Sequence, residues 1–383
     1  MKLFNVYPLF DITPVKAKGC YVWDSEENCY LDLYGGHAVI SIGHSHPHYV
    51  QRLHEQLNQL AFYSNSVRNP LQEELAEKLG ELSGYPDYHL FLCNSGAEAI
   101  ENALKLASFY NGRSKVVCFE RGFHGRTSGA VAITDNARIQ APINFTQHVV
   151  RLPWEEEEQL RQHLQSGEIC AVVLEGIQGI GGVYEASPAY WQLLRQLCDE
   201  TDTVLIADEI QSGYGRTGQF FAHQHAGVQP DLITLAKGMG NGFPIGGVMI
   251  GPRFEASYGL LGTTFGGNHL ACTAGIAVLE VLERENLMHY ATETGNYLMD
   301  KLRNTNGVRE VRGKGLMIGV EMEFPIKELR AHLLSEHYML TGSSSQPHTL
   351  RLLPPLCLTH VQADDFISAF GKAVAHFREK TVD

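Results

Sequence analysis

Residues 203–218 read TVLIADEIQSGYGRTG, and residues 230–242 read PDLITLAKGMGNG. Each contains a short apolar run that closes on one charged residue, Asp208 in the first and Lys237 in the second, before glycine-rich chain begins. Continuous apolar runs bounded by turn residues are the pattern of buried parallel strands, which are covered on both faces. The crossover of 29 positions from Asp208 to Lys237 is long enough to return the chain to a neighbouring strand, setting an amine beside a carboxylate.

Working outward, the same pattern recurs from about residue 50 to 250. YHLFLC, KVVCFE, CAVVLEG, LITLAK and GGVMIG read as further strands, and LQEELAEKLGEL and AEAIENALKLASFY as helices. Alternation of this kind predicts a wound α/β domain with a central, mostly parallel sheet. Before it, GCYVWDSEENCYLDLYGG alternates like a hairpin around SEEN. After it, GIAVLEVLERENLMHYATETGNYLMDKLR reads as one or two amphipathic helices, and the tail mixes strands with helices. The expected division is a large α/β domain over 50–271 and a smaller, discontinuous α+β domain over 1–49 and 272–383.

Composition narrows the class. Charged residues are 19% and hydrophobic ones 44%, a globular balance, and no apolar stretch is long enough for a membrane helix. The net charge is −13 without a basic stripe, which argues against nucleic acid or an anionic membrane as the main partner. The opening MKLFNVYPLFDITPV lacks a small-residue cleavage pattern and reads as mature sequence. Eight cysteines lie far apart with no C-x-x-C, so reduced thiols in a cytoplasmic compartment are expected. His37, His44, His46 and His48 lack the flanking carboxylates of a metal site, and no metal is expected.

An amine and a carboxylate at neighbouring strand ends suit pyridoxal phosphate. The aldehyde needs a lysine to hold it as a Schiff base, and the pyridine nitrogen needs an anion to keep it protonated. Lys237 read alone is a solvated lysine at a turn; the glycines at 238, 240 and 242 and the proximity of Asp208 favour the cofactor reading. Asn94, Ser95, Gly96 and Ala97 stand between a strand and a helix, where free N–H groups and the helix dipole favour a phosphate. Ser95 and Glu98 also have capping-box spacing, and both readings can hold together. In FERGFHGRTSGA, Phe123, His124 and Arg126 fall at the same sheet edge, where a ring can stack on a pyridine and a guanidinium can clamp a carboxylate. Thr263 and Thr264 offer hydroxyls, and Arg351 ends a strand before two prolines.

Taken in order, YLDLYGGHAVISIGHSHP, NSGAEAIENALKLA, FHGRTSGA, IADEIQSGYGRTG, LITLAKGMGNGFPIGG, GTTFGGNHLA and RLLPP resemble the class III pyridoxal-phosphate aminotransferases over nearly the whole chain. Within that class the chain is most similar to the acetylornithine and succinylornithine group. The resemblance implies a fold type I homodimer that moves the terminal amine of an N-acylornithine to 2-oxoglutarate, giving glutamate, in arginine biosynthesis. The alternatives are an ornithine δ-aminotransferase or another ω-amino-acid transaminase. It implies that Lys237 bonds the cofactor, Asp208 pairs with its ring nitrogen and Phe123 stacks on the ring. Ser95, Gly96 and Ala97 are implied at the phosphate, with Thr264 of the partner subunit, and Gln211 at the ring oxygen. Arg126, Thr263 and Arg351 are implied to line the substrate site. One position departs from the family: where EGIQGIGG has Ile180, related ornithine and 4-aminobutyrate enzymes carry a glutamate that masks the arginine equivalent to Arg351.

Overall fold

The computed structural model describes residues 1–382. The chain begins with an antiparallel meander of β1 (Pro14–Lys18), β2 (Tyr21–Asp24) and β3 (Cys29–Asp32). The central strands follow as β4 (His89–Cys93), β5 (Lys115–Phe119), β6 (Val149–Leu152), β7 (Ile169–Glu175), β8 (Val204–Asp208), β9 (Leu232–Leu235) and β10 (Gly246–Ile250). They form one seven-stranded sheet in the order β4-β10-β9-β8-β7-β5-β6. The C-terminal part adds β11 (Val308–Lys314), β12 (Met317–Met322), β13 (Met339–Leu340), β14 (Gly342–Ser343) and β15 (Thr349–Leu352). β13 joins β3 in a sheet with the meander, while β11, β12, β15 and β14 make a separate four-stranded sheet.

Every residue of β7, β8 and β9 is buried, which is why these strands carry no polar alternation. Their side chains still divide by the period of two. Ala171, Val173, Val204 and Ile206 pack with Ile100, Ala103 and Ala107 of the helix Gly96–Asn111. Val172, Leu174, Leu205 and Ala207 pack on the opposite face with Trp191, Leu194 and Leu197 of the helix Pro188–Glu200. Helices on both faces leave only the strand ends open, so polar groups gather there.

Three details differ from the sequence reading. β10 runs antiparallel to both neighbours, because the link 236–245 is shorter than the roughly dozen residues a parallel crossover needs. β6 was not foreseen; four residues long, half-exposed and containing Arg151, it is an edge strand without a continuous apolar run. Lys237 does not close its strand, since β9 ends at Leu235 and Lys237 opens a short helical turn with φ of 47°. The long apolar stretch after the sheet resolves into two helices, His269–Arg284 and Leu287–Arg303, separated by Asn286 in the left-handed region at φ 50°. No helix among the described residues is long and apolar enough to cross a membrane.

Candidate active site

The parallel strands β5, β7, β8 and β9 all deliver their carboxyl ends to one side of the sheet, and the predicted residues collect there. Asp208 ends β8 and is 3% exposed. Its Oδ2 lies 2.7 Å from Nδ1 of His124, and its Oδ1 accepts hydrogen bonds from the Ile210 amide at 3.1 Å and the Thr234 hydroxyl at 3.3 Å. Burial pushes the His124 imidazole down, but its hydrogen bond to Asp208 and the Asp208 charge outweigh this and the net shift is upward. Imidazole and carboxylate are both buried, so the pair is held away from solvent.

Lys237 sits two residues beyond β9 in left-handed backbone, a conformation that costs a lysine on the order of 1 kcal/mol and persists only where surrounding contacts enforce it. Those contacts come from Ser41, whose hydroxyl donates to the Gly238 carbonyl at 2.8 Å, and from Asn241, whose Oδ1 accepts the Ser41 amide at 2.8 Å. No described side chain takes a hydrogen bond from Lys237 Nζ. Burial pushes its ammonium below the usual lysine range, with Asp208 and Glu175 opposing and Arg351 adding to the fall.

At the end of β4, the helix Gly96–Asn111 starts with Ser95 as its cap, the Ser95 hydroxyl accepting the Glu98 amide at 3.2 Å. The Glu98 carboxylate reaches back to the Asn94 amide at 2.9 Å. The capping reading of Ser95 and Glu98 is thus present, and the amides of Gly96 and Ala97 remain at the open helix end. A Cβ on Gly96 would lie 2.9 Å from Ile210 side-chain atoms, so glycine lets the helix end approach the segment that follows Asp208. Thr263 Oγ1 receives the Asn94 side-chain amide at 3.3 Å and the Gly266 amide at 3.1 Å. Thr263 thus stands at this helix end, and Thr264 beside it is exposed.

On the other side of the pocket, Arg351 in β15 is 1% exposed. Its Nη1 donates to Gln211 Oε1 at 3.1 Å, its Nε donates to the Ser343 carbonyl, and its guanidinium lies 5.9 Å from the Tyr34 ring centre. It makes no ion pair with a carboxylate among the described residues. The Gln211 amide is held at its other end by the His37 carbonyl at 3.2 Å, and Gly179 makes room for it, because a Cβ there would stand 1.6 Å from Gln211 Oε1. Ile180 brings no charge; its carbonyl accepts the Ser345 amide at 2.8 Å. Phe123 is half-buried with its amide donating to Glu175 Oε1 at 2.9 Å, and Arg126 is exposed nearby. His37 reports how close the cations are, since burial, Arg351, Lys237 and Arg126 all push its imidazole down.

Two participants were given no role by the sequence reading. His124 was placed at this edge without a role, and its partner Asp208 lies 84 positions away, a pairing only topology creates. Glu175, the last residue of β7, accepts the Phe123 amide and the Gly179 amide, and burial pushes it up to about 7 against the pull of His124. A carboxylate ending an apolar run, as Asp208 does, was the available signal. The loop histidines of GHSHPH each meet one carboxylate instead of one another: His44 with Asp32, His46 with Glu285 and His48 with Glu280.

A lysine amine without a partner, a carboxylate locked to a histidine and an open helix N-terminus at one edge of the sheet define a site for an amine-capturing cofactor with a basic ring and an anionic tail. The chain belongs to the class-III aminotransferases, whose family pattern it matches over residues 5–374. It is a pyridoxal-phosphate-dependent enzyme of that family. It is 38% identical to the acetylornithine aminotransferase of Bacillus subtilis over 98% of each chain, and 40% identical to that of Archaeoglobus fulgidus over 94% of this chain and 95% of the other. In structure it is similar to the ornithine aminotransferase of Toxoplasma gondii, with a TM-score of 0.91 at 29% identity, covering 97% of this chain and 92% of the other.

Proposed function

We propose that this enzyme transfers the terminal amino group of an N2-acylornithine, acetylated or succinylated, to 2-oxoglutarate, giving the N-acyl glutamate semialdehyde and glutamate in arginine biosynthesis. The observation that carries the chemistry is the unpartnered Lys237 amine facing the buried Asp208–His124 pair. The donor class rests on full-length similarity to acetylornithine aminotransferases. A second reading, an ornithine δ-aminotransferase, is favoured by the likeness to the Toxoplasma gondii structure.

The residues fit pyridoxal phosphate by charge and by donor chemistry. Lys237 would bond its aldehyde, and Asp208, braced by His124, would keep its ring nitrogen protonated. Phe123 would cover one ring face, Gln211 would meet the ring oxygen, and Ser95, Gly96 and Ala97 would bind the phosphate together with Thr264 of the partner subunit. Bound there, the cofactor supplies an aldehyde that captures amines and a protonated ring that absorbs negative charge. Burial makes the Lys237 ammonium more acidic, so its free amine would be available to take and return the substrate proton. Arg126 and Thr263 orient the acylated end of the donor. When 2-oxoglutarate enters, Arg351 exchanges the single oxygen of Gln211 for a bidentate carboxylate, and Arg126 meets the second carboxylate. This reading includes a homodimer with shared sites, a cytoplasmic location and the division into 50–271 and 1–49 with 272–383.

The test is glutamate formation from 2-oxoglutarate with acetylornithine, succinylornithine, ornithine and 4-aminobutyrate as donors. An acylated ornithine should give the highest kcat/KM. A preference for free ornithine would replace the first reading by the second, and glutamate from none of them would overturn both.

A further inference from the structure

Outside the catalytic pocket, two cysteines far apart in sequence meet. Cys20 Sγ and Cys357 Sγ lie 3.7 Å apart although the residues are 337 positions apart in sequence. Cys20 is buried, whereas Cys357 is partly exposed and lines a cavity of about 420 Å3 with Glu285, Tyr290, Thr359 and His360. Gly43 keeps the space between their two chain segments: a Cβ there would stand 2.8 Å from Cys357 Sγ and 3.3 Å from the Gly19 Cα.

The pair brackets the loop that supports Lys237. On the Cys20 side, Gly19 and His44 exchange backbone hydrogen bonds at 2.9 and 2.8 Å. On the Cys357 side, the Leu356 amide donates to the Ser41 carbonyl at 2.7 Å. Between these clamps, the Ser41 hydroxyl holds the Gly238 carbonyl, and Asn241 takes the Ser41 and Ile42 amides and donates to the Gly43 carbonyl at 3.0 Å. A displacement of either cysteine is thus carried by direct bonds into the turn that starts at Lys237.

We propose that Cys20 and Cys357 form a reversible disulfide, a redox modification site that adjusts the Lys237 turn. A disulfide needs its sulfurs about 2.05 Å apart, so they must close by well over an ångström, and both clamps move with them. The oxidant is a low-molecular-weight disulfide such as oxidised glutathione. Cys357, the partly exposed member of the pair, attacks one glutathione sulfur as thiolate and expels one glutathione thiolate. Cys20 then attacks Cys357 Sγ and expels the second. The two thiols lose two protons and two electrons, and the glutathione disulfide is reduced to two glutathiones. Reversible bonds of this kind are the usual form of disulfides in reducing compartments.

The experiment treats cofactor-loaded enzyme with oxidised glutathione, maps the peptides by mass spectrometry and measures turnover before and after dithiothreitol. The expected result is a peptide pair joined through Cys20 and Cys357, a loss of turnover of up to about 100-fold, as misplacement on the ångström scale at a reacting group produces, and full recovery on reduction. Cys357→Ala and Cys20→Ala, made separately so that one stable variant suffices, should both resist the loss. Glutathione remaining on Cys357, modification confined to the exposed Cys29, a joined pair with unchanged turnover, or an equal loss in the variants would each overturn the proposal.

Discussion

The two ends of the pocket treat a buried charge in opposite ways. Asp208 is met by an imidazole at 2.7 Å and by two further donors, so its charge is compensated in place. Arg351, equally buried, is met only by neutral oxygens, those of Gln211 and Ser343. A buried ion that already has its counter-ion is fixed, whereas one held by neutral acceptors has lost its water without gaining a charge and is ready to take one from a ligand. The first arrangement suits a permanent ring contact and the second a carboxylate that comes and goes. Ile180 leaves Arg351 in this state, and the Gln211 amide, seated against Gly179, occupies the guanidinium between visits.

The contrast can be broken at several points. The largest effect is expected from Lys237→Ala, which should keep the fold and bind the cofactor non-covalently while turnover falls about 10,000-fold or more, since no other amine stands in place to move the proton. Single-turnover assays and borohydride trapping would check both halves of that statement. Next, Asp208→Asn should lower kcat by roughly 1,000-fold. It should also lower the His124 titration, because the Asp208 charge that offsets burial is gone and only Glu175 still opposes burial and Arg151; NMR of the ring protons reads this directly. At the other end, Arg351→Lys should raise the KM for 2-oxoglutarate by about 10- to 100-fold, with less change for the amine donor, because an ammonium cannot replace the two-pronged contact. Equal damage to donor and acceptor kinetics would remove the distinction between the two ends.

The same contrast marks what the sequence could convey. Asp208 and Lys237 were legible because each follows an apolar run, a signal contained within one element, and the helix start at Ser95 was legible through its cap. Five inner strands were legible because burial on both faces left nearly continuous apolar runs, and the edge strand β4 was legible because its run LFLC is apolar too. β6 was not, since an edge strand of VVRL carries half-exposed residues and an arginine. Nor were the pairings. His124 with Asp208, and Arg351 with Gln211 across 140 positions, depend on where each crossover sets the chain down, and no local period encodes that. The left-handed φ at Lys237 was hidden for the same reason, being imposed by Ser41 and Asn241 from elsewhere in the fold.

Glu175 lies between the two ends and supplies the smallest test of their difference. Its carboxylate accepts amides from Phe123 on one side and Gly179 on the other, and burial raises it to about 7, with His124 opposing and Asp208 adding. An unfolded glutamate titrates near 4.3. Between about pH 4.3 and 7 the folded enzyme therefore keeps a proton that the unfolded chain has released, so this group lowers stability as pH rises through that window, and the loss is complete above it. Glu175→Gln removes the titration. Its amide offers only one acceptor oxygen for two backbone donors, so the variant starts from a lower stability at pH 5. The gap to the parent should then narrow by on the order of 2 kcal/mol on going to pH 8. Denaturation midpoints of both proteins at the two pH values measure this, and parallel curves would place the Glu175 proton outside the pocket's electrostatics.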